Sequence, residues 1–236
     1  MWSNVISIDK SYDKEINYIL KKLQSTKDVS SAIEESRGRM WVYLASACES
    51  QDAVECDINE LIQDVFLTFI KLRFFWDKLN FRTFNHAKCA LLSSLVHFDR
   101  GFESNIVMKA VSNTLDYNVD GILNFRLRAL KESWSEVAEV ANRLLDNSMS
   151  DNDIYDIAGF ITGSDGKMSQ LAITKNGIYS ITKRRYVDEI DVFGDKEYNA
   201  IFSIVSQNPA EILIEDKSLS AQMINCLKHL ARVVEK

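Results

Sequence analysis

The residue types best suited to chemistry are three histidines, four cysteines and a few turns carrying glycine or lysine. His86, Cys89 and His97 share one face if a single helix spans them, and with Asp99 nearby they are apt ligands for zinc or another transition metal. At 1.5 Å of rise per residue His86 and His97 would stand roughly 16 Å apart. That is too far to share an ion, so a surface histidine pair beside a core thiol is expected. Cys226 and His229 are the right types for a nucleophile and its base, but such a pair needs a depressed thiol pKa, a third orienting group and a cleft. Leu227, Leu230 and Ala231 around Cys226 point to core instead.

Gly166-Lys167 has residue types that cradle phosphate. A phosphate loop also requires a glycine five positions before its second one and a hydroxyl after the lysine, and those places hold Ile161 and Met168. A strand-entry turn is expected there. The same stretch lacks the glycine spacing of a dinucleotide-binding turn. Lys183-Arg184-Arg185 suits phosphate, an acidic partner or a headgroup, but Asp188, Glu189 and Asp191 follow and nearly cancel the charge. No catalytic, cofactor-binding or metal-ligating residue is assigned, and no cofactor is expected.

An apolar fraction of 46% with 26% charged residues predicts a buried core, and 236 residues suffice for one large domain or two modest ones. A single proline and eight glycines leave room for long helices. The net charge of −6 is spread along the chain without a basic stripe, so the electrostatic footprint of nucleic-acid binding is missing. Cys48, Cys56, Cys89 and Cys226 include no zinc-knuckle or redox spacing, and Met1-Trp2-Ser3-Asn4 lacks the basic start of a secretory signal. Free thiols and a cytoplasmic location are the expectation. Leu61 to Trp76 is the most hydrophobic run, too short and too charged for a membrane span and better read as a buried helix. Its aromatics, with Phe66, Phe69, Phe74, Phe75 and Trp76 followed by Phe81 and Phe84, are read as core, with a partner interface as the alternative.

The elements that must position these residues are of mixed kind. Val5 to Ile8 and Met40 to Ala45 read as strands and residues 12–24 as a helix between them, a crossover that suits parallel pairing. Asp57 with Glu60 resembles a capping box opening a helix that runs to about Leu79. Helices are expected over Phe84 to Phe98 and, after a break at Gly101, over Glu103 to Leu115. A long amphipathic helix is expected from Asp120, with Ile122, Phe125, Leu130, Trp134, Val137, Ala141, Leu144 and Leu145 on its apolar side. Ser150 with Asp151 is placed to cap a further short helix. Met168 to Thr174 and Ile178 to Thr182 read as a hairpin turning at Asn176-Gly177. A helix over 196–207, a strand over Glu211 to Ile214, a helix over Leu219 to Leu230 and an edge strand at Val233-Val234 complete the chain.

The fold class is therefore α+β (mixed α/β). An N-terminal strand-helix-strand segment (1–55) and a C-terminal hairpin-helix-strand-helix segment (166–236) flank a helix-rich centre (56–165), and the two ends are candidates to share one sheet.

The run Asp120-Gly121-Ile122-Leu123-Asn124-Phe125-Arg126-Leu127, with Leu130 and Trp134 after it, resembles a segment of the YtxC-like sporulation proteins of endospore-forming Firmicutes. Asn208-Pro209, the strand Ile212 to Ile214 and the close at Arg232-Val233 look similar to that family's end, so the resemblance covers about residues 118–236. It implies a sporulation context rather than a chemistry, with Asp120, Gly121, Asn124, Phe125, Arg126 and Leu127 as the structural or interaction motif. Phe125 and Leu130 are expected in the core, and Arg126 suits an ion pair as well as a ligand contact.

The function expected is that of an uncharacterised, non-catalytic cytoplasmic protein working through a protein partner or an unrecognised ligand. The alternative is an enzyme or small-molecule-binding protein whose pocket gathers residues such as Asp120, Arg126 and His97 from separate segments. A nucleic-acid binder comes third.

Overall fold

The computed structural model describes residues 2–26, 29–47, 51–112, 114, 116–145, 149–163 and 169–235. In chain order the elements are β1 (Trp2–Asp9), α1 (Asp13–Ser25), β2 (Ser30–Ser36), β3 (Arg39–Ser46) and α2 (Gln51–Asp64). A π-helical stretch, Val65–Ile70, joins α2 directly to α3 (Lys71–Lys78). Next come α4 (His86–His97), α5 (Arg100–Val111), β4 (Tyr117–Asn118), the short α6 (Val119–Gly121), a second π-helical stretch Ile122–Arg126, and α7 (Arg128–Leu145). The remainder is α8 (Asp151–Gly163), β5 (Ser169–Thr174), β6 (Gly177–Ser180), β7 (Arg185–Tyr186), α9 (Lys196–Gln207), β8 (Pro209–Ile214), α10 (Ala221–Leu230) and β9 (Arg232–Glu235). Among the described residues helix takes 57% and strand 21%, with the strands in two small mixed sheets, so the fold is α+β.

The chain divides into two compact units, Met1–Phe74 with Asp99–Glu136, and Phe75–Phe98 with Val137–Lys236. In the first, the sheet order is β2-β3-β1-β4, with β1 antiparallel to β3 and parallel to β4. The parallel crossover expected of the first two predicted strands is thus corrected. A strand with no apolar alternation, β2, intervenes and forms a hairpin with β3. Arg37 (φ +52°) and Gly38 (φ +74°) supply the paired positive φ angles of the two-residue turn that closes it. Ile6, Val42 and Leu44 fill the buried face of this sheet, and Ile58, Ile62, Phe66 and Ile70 are buried along the helix that runs from α2 into the π-helical stretch.

The second unit holds a sheet ordered β7-β6-β5-β8-β9, in which β5 is antiparallel to β6 and parallel to β8. The strands before residue 55 and those after 166 lie in separate sheets. Helices α4, α8, α9 and α10 pack together, burying Ala87, Leu91, Ala158, Ile201, Phe202 and Leu227. The approach of α8 to the end of α10 is close enough that a Cβ on Gly159 would lie 2.5 Å from the His229 carbonyl oxygen.

Four local expectations change. Asp57 and Glu60 fall inside α2, whose start at Gln51 lies a turn and a half earlier. The helix break expected at Gly101 sits at Asp99, which takes a left-handed φ of +54°, and Gly101 belongs to α5. The helix expected from Asp120 is interrupted: Leu127 (φ −103°, ψ 19°) separates the π-helical stretch from α7. In the β5–β6 hairpin the positive φ is carried by Gly177 (+119°).

Candidate functional site

The motif singled out by resemblance is built as a capped, hydrogen-bonded turn in the first unit. Asn118 caps it, its Oδ1 accepting from the Gly121 N–H at 2.9 Å, and Asp120 pairs with Arg39 at 2.7 Å. Leu127 N–H donates to the Ile122 carbonyl at 2.9 Å, a bond five residues back that widens the turn into π geometry. With one extra residue in the turn, Phe125, three residues after Ile122, no longer falls on the apolar side, whereas Leu127, five residues after it, does. Ile122, Leu123 and Leu127 are buried, whereas Phe125 is 85% exposed. Phe125 is therefore not a core residue as expected, while Leu130 is. Arg126 Nη1 donates to the Ala110 carbonyl near the end of α5 (3.0 Å), and Asn124 Oδ1 accepts from Lys131 Nζ (3.1 Å).

The other π-helical stretch has its own support. The Leu67 carbonyl accepts from Arg100 Nη1 at 3.0 Å, and Arg100 Nη2 reaches Asp64 at 2.9 Å. The helix then places Lys71, 1% exposed, against Glu103 at 2.5 Å. Trp134 Nε1 donates to the other oxygen of the same carboxylate at 2.7 Å. Burial pushes the Lys71 ammonium below its usual range, with Glu103 opposing that shift. Sequence spacing gave no signal of this trio, because its members come from three separate helices.

In the second unit each histidine has a packing partner. His86 Nε2 lies 2.7 Å from Glu197 Oε2, and the same carboxylate accepts from the Ser220 hydroxyl (2.7 Å) and N–H (2.9 Å). A carboxylate thus stands between serine and histidine. Nucleophilic activation requires the imidazole beside the hydroxyl, and Ser220 Oγ is already engaged as the cap of α10, accepting from Met223 N–H at 3.0 Å. His97 packs on the Phe202 ring, and His229 Nδ1 lies 2.7 Å from Asp156 while its ring stacks on Tyr155. Cys89 and Cys226 are fully buried, and burial raises both thiols well above their usual range. Their environments oppose thiolate formation. Among the described residues no group of three or more His, Cys, Asp or Glu side chains is placed to hold a metal ion.

Of the remaining candidates, Lys183-Arg184-Arg185 is exposed, with Lys183 Nζ bonded to Gln207. Gly166, Lys167 and Cys48 lie outside the described residues. The aromatic run divides between core and surface: Phe66, Phe69 and Phe75 are buried, while Trp76 is 46% exposed and packs on Phe84, itself against Phe193 and Tyr198. A cavity of about 160 Å³ is lined by Arg82, Lys88 and Asp151 with Leu145, Met149 and Ile154. Asp120 and Arg126 belong to the first unit and His97 to the second.

The class defined by these features is an α+β protein with two compact units and no helix, among the described residues, long and apolar enough to cross a membrane. No family model, curated protein or solved structure matches the chain.

Proposed function

We propose that this protein is a non-catalytic cytoplasmic protein of sporulating bacteria that acts through protein contacts, with the turn around Phe125 as the contact element. The sporulation context rests on the resemblance to the YtxC-like family over residues 118–236. The observation that carries the contact role is Phe125 itself, a large aromatic left 85% exposed on a turn whose flanks are buried and bonded. Rigid aromatic anchors are the side chains that contribute most at protein interfaces. The histidines and buried thiols, each committed to a carboxylate, a ring or the core, favour binding over turnover. A second reading, a small-ligand protein, is favoured by the cavity beside Arg82 and Lys88; at about 160 Å³ it falls below the ~300–1,000 Å³ usual for drug-sized ligands.

The test is affinity capture with tagged protein from sporulating cells beside a vegetative control, in wild-type and Phe125→Ser forms. The expected result is a protein partner retained only from sporulating cells and lost with the substitution. A co-purifying metabolite without any protein partner would move the assignment to the second reading.

A further inference from the structure

The outer strand β2 pairs only with β3, and among the described residues no strand lies beyond it. Ser30 to Glu35 are exposed. One cross-strand row of the sheet runs Ile6–Val42–Ile33, since Ile6 opposes Val42 and Val42 opposes Ile33. Ile6 and Val42 are buried (0% and 1% exposed), yet Ile33 is 53% exposed. The apolar row is cut off at the sheet's edge, where backbone N–H and C=O groups are also left to solvent.

We propose that this edge receives a second copy of the same chain, the two β2 strands pairing antiparallel about a two-fold axis at Ile33. An isologous contact sets a patch against itself, and the sequence of β2 tolerates that in this register. Ile33 faces Ile33, Ala32 faces Glu34, Ser31 faces Glu35 and Ser30 faces Ser36, so no carboxylate opposes a carboxylate. An axis at Glu34 would set two glutamates against each other, which is destabilising. The apolar row then runs unbroken through both sheets, from Ile6 of one copy to Ile6 of the other. Edge glutamates commonly guard against such pairing, but here Glu34 accepts a hydrogen bond from the Tyr43 hydroxyl (3.0 Å) and Glu35 pairs with Lys10, so each is held by its own chain. A single strand-to-strand contact is small as interfaces go, and the association is correspondingly weak and concentration-dependent.

The full chain tests this by sedimentation velocity from micromolar to near-millimolar concentration, together with disulfide trapping in a background where Cys48 and Cys56 are replaced by serine. Directly opposed residues on paired strands lie within disulfide reach. Ile33→Cys should therefore trap a dimer by itself. Glu35→Cys should trap none alone but should pair with Ser31→Cys when the two chains are mixed. Ile33→Glu, with an unchanged melting curve, should weaken dimerisation about tenfold or more by placing two carboxylates on the axis. A chain that stays monomeric throughout, or trapping that is equal at positions 33 and 35, overturns the proposal and leaves β2 as a guarded edge.

Discussion

Lys71 Nζ lies 2.5 Å from Glu103 Oε2, with the lysine side chain 1% and the glutamate side chain 7% exposed to solvent. Removing one member of a buried pair leaves an uncompensated charge, typically costing about 3–5 kcal/mol. Lys71→Met should therefore destabilise by that order in urea unfolding. Adding Glu103→Gln, which removes the stranded charge and keeps an acceptor for Trp134 Nε1, should recover at least half of the loss. A double variant no more stable than Lys71→Met alone would show that the pair is not coupled as the geometry indicates.

Glu197 ties α9 to α4 and to the start of α10. Burial pushes its carboxyl up, but the hydrogen bonds from Ser220 and the contact with His86 outweigh this and hold it below its usual value of 4.5. A folded value below the unfolded one means the stabilisation is complete above the unfolded value and is lost as pH falls through the folded one. Glu197→Gln should accordingly lower Tm at neutral pH, with a deficit that shrinks under strongly acidic conditions. A deficit that stays constant across that range would contradict the assignment.

The thiols should separate by reactivity. Cys56 is exposed, whereas Cys89 and Cys226 are buried with raised pKa values. Iodoacetamide at neutral pH should modify Cys56 in the native protein, and Cys89 and Cys226 only once denaturant is added, as peptide mass spectrometry would show. Rapid native labelling at Cys226 would reopen the nucleophile reading of Cys226 and His229.

What the sequence made legible was the part governed by local rules. Helix α9 is bounded by Asp195, whose side chain accepts from Tyr198 N–H, and by Asn208 in the left-handed region just before Pro209, so both its ends could be read from residue types alone. Strand β2 was not legible, because an exposed edge strand shows no apolar alternation and its turn residues, Arg37-Gly38, are not a strong hairpin pair. The π-helical turn at Ile122–Arg126 was missed for a related reason: periodicity assumes a constant residue count per turn, and one added residue moved Phe125 from the expected core to the surface. The charged contacts of Lys71 and Glu197 join residues far apart in sequence, where spacing carries no information.

Phe125 and Leu127 should differ sharply in what they contribute to stability. Phe125→Ser is expected to change the unfolding free energy by no more than about 0.5 kcal/mol, as for exposed positions generally. Leu127, 1% exposed, should cost about 2–5 kcal/mol when cut to alanine. Chemical denaturation of the two variants checks this, and a large loss with Phe125→Ser would make the aromatic a packing residue.

The contact role proposed for that turn is most directly tested by placing a photo-crosslinking phenylalanine analogue at position 125, with Phe160 on α8, 82% exposed, as the comparison position. Illumination of sporulating cells should join position 125 to one discrete protein and leave position 160 without that adduct. Equal adducts at both positions, or none at 125, would contradict the assignment of the Phe125 turn as the protein's contact element.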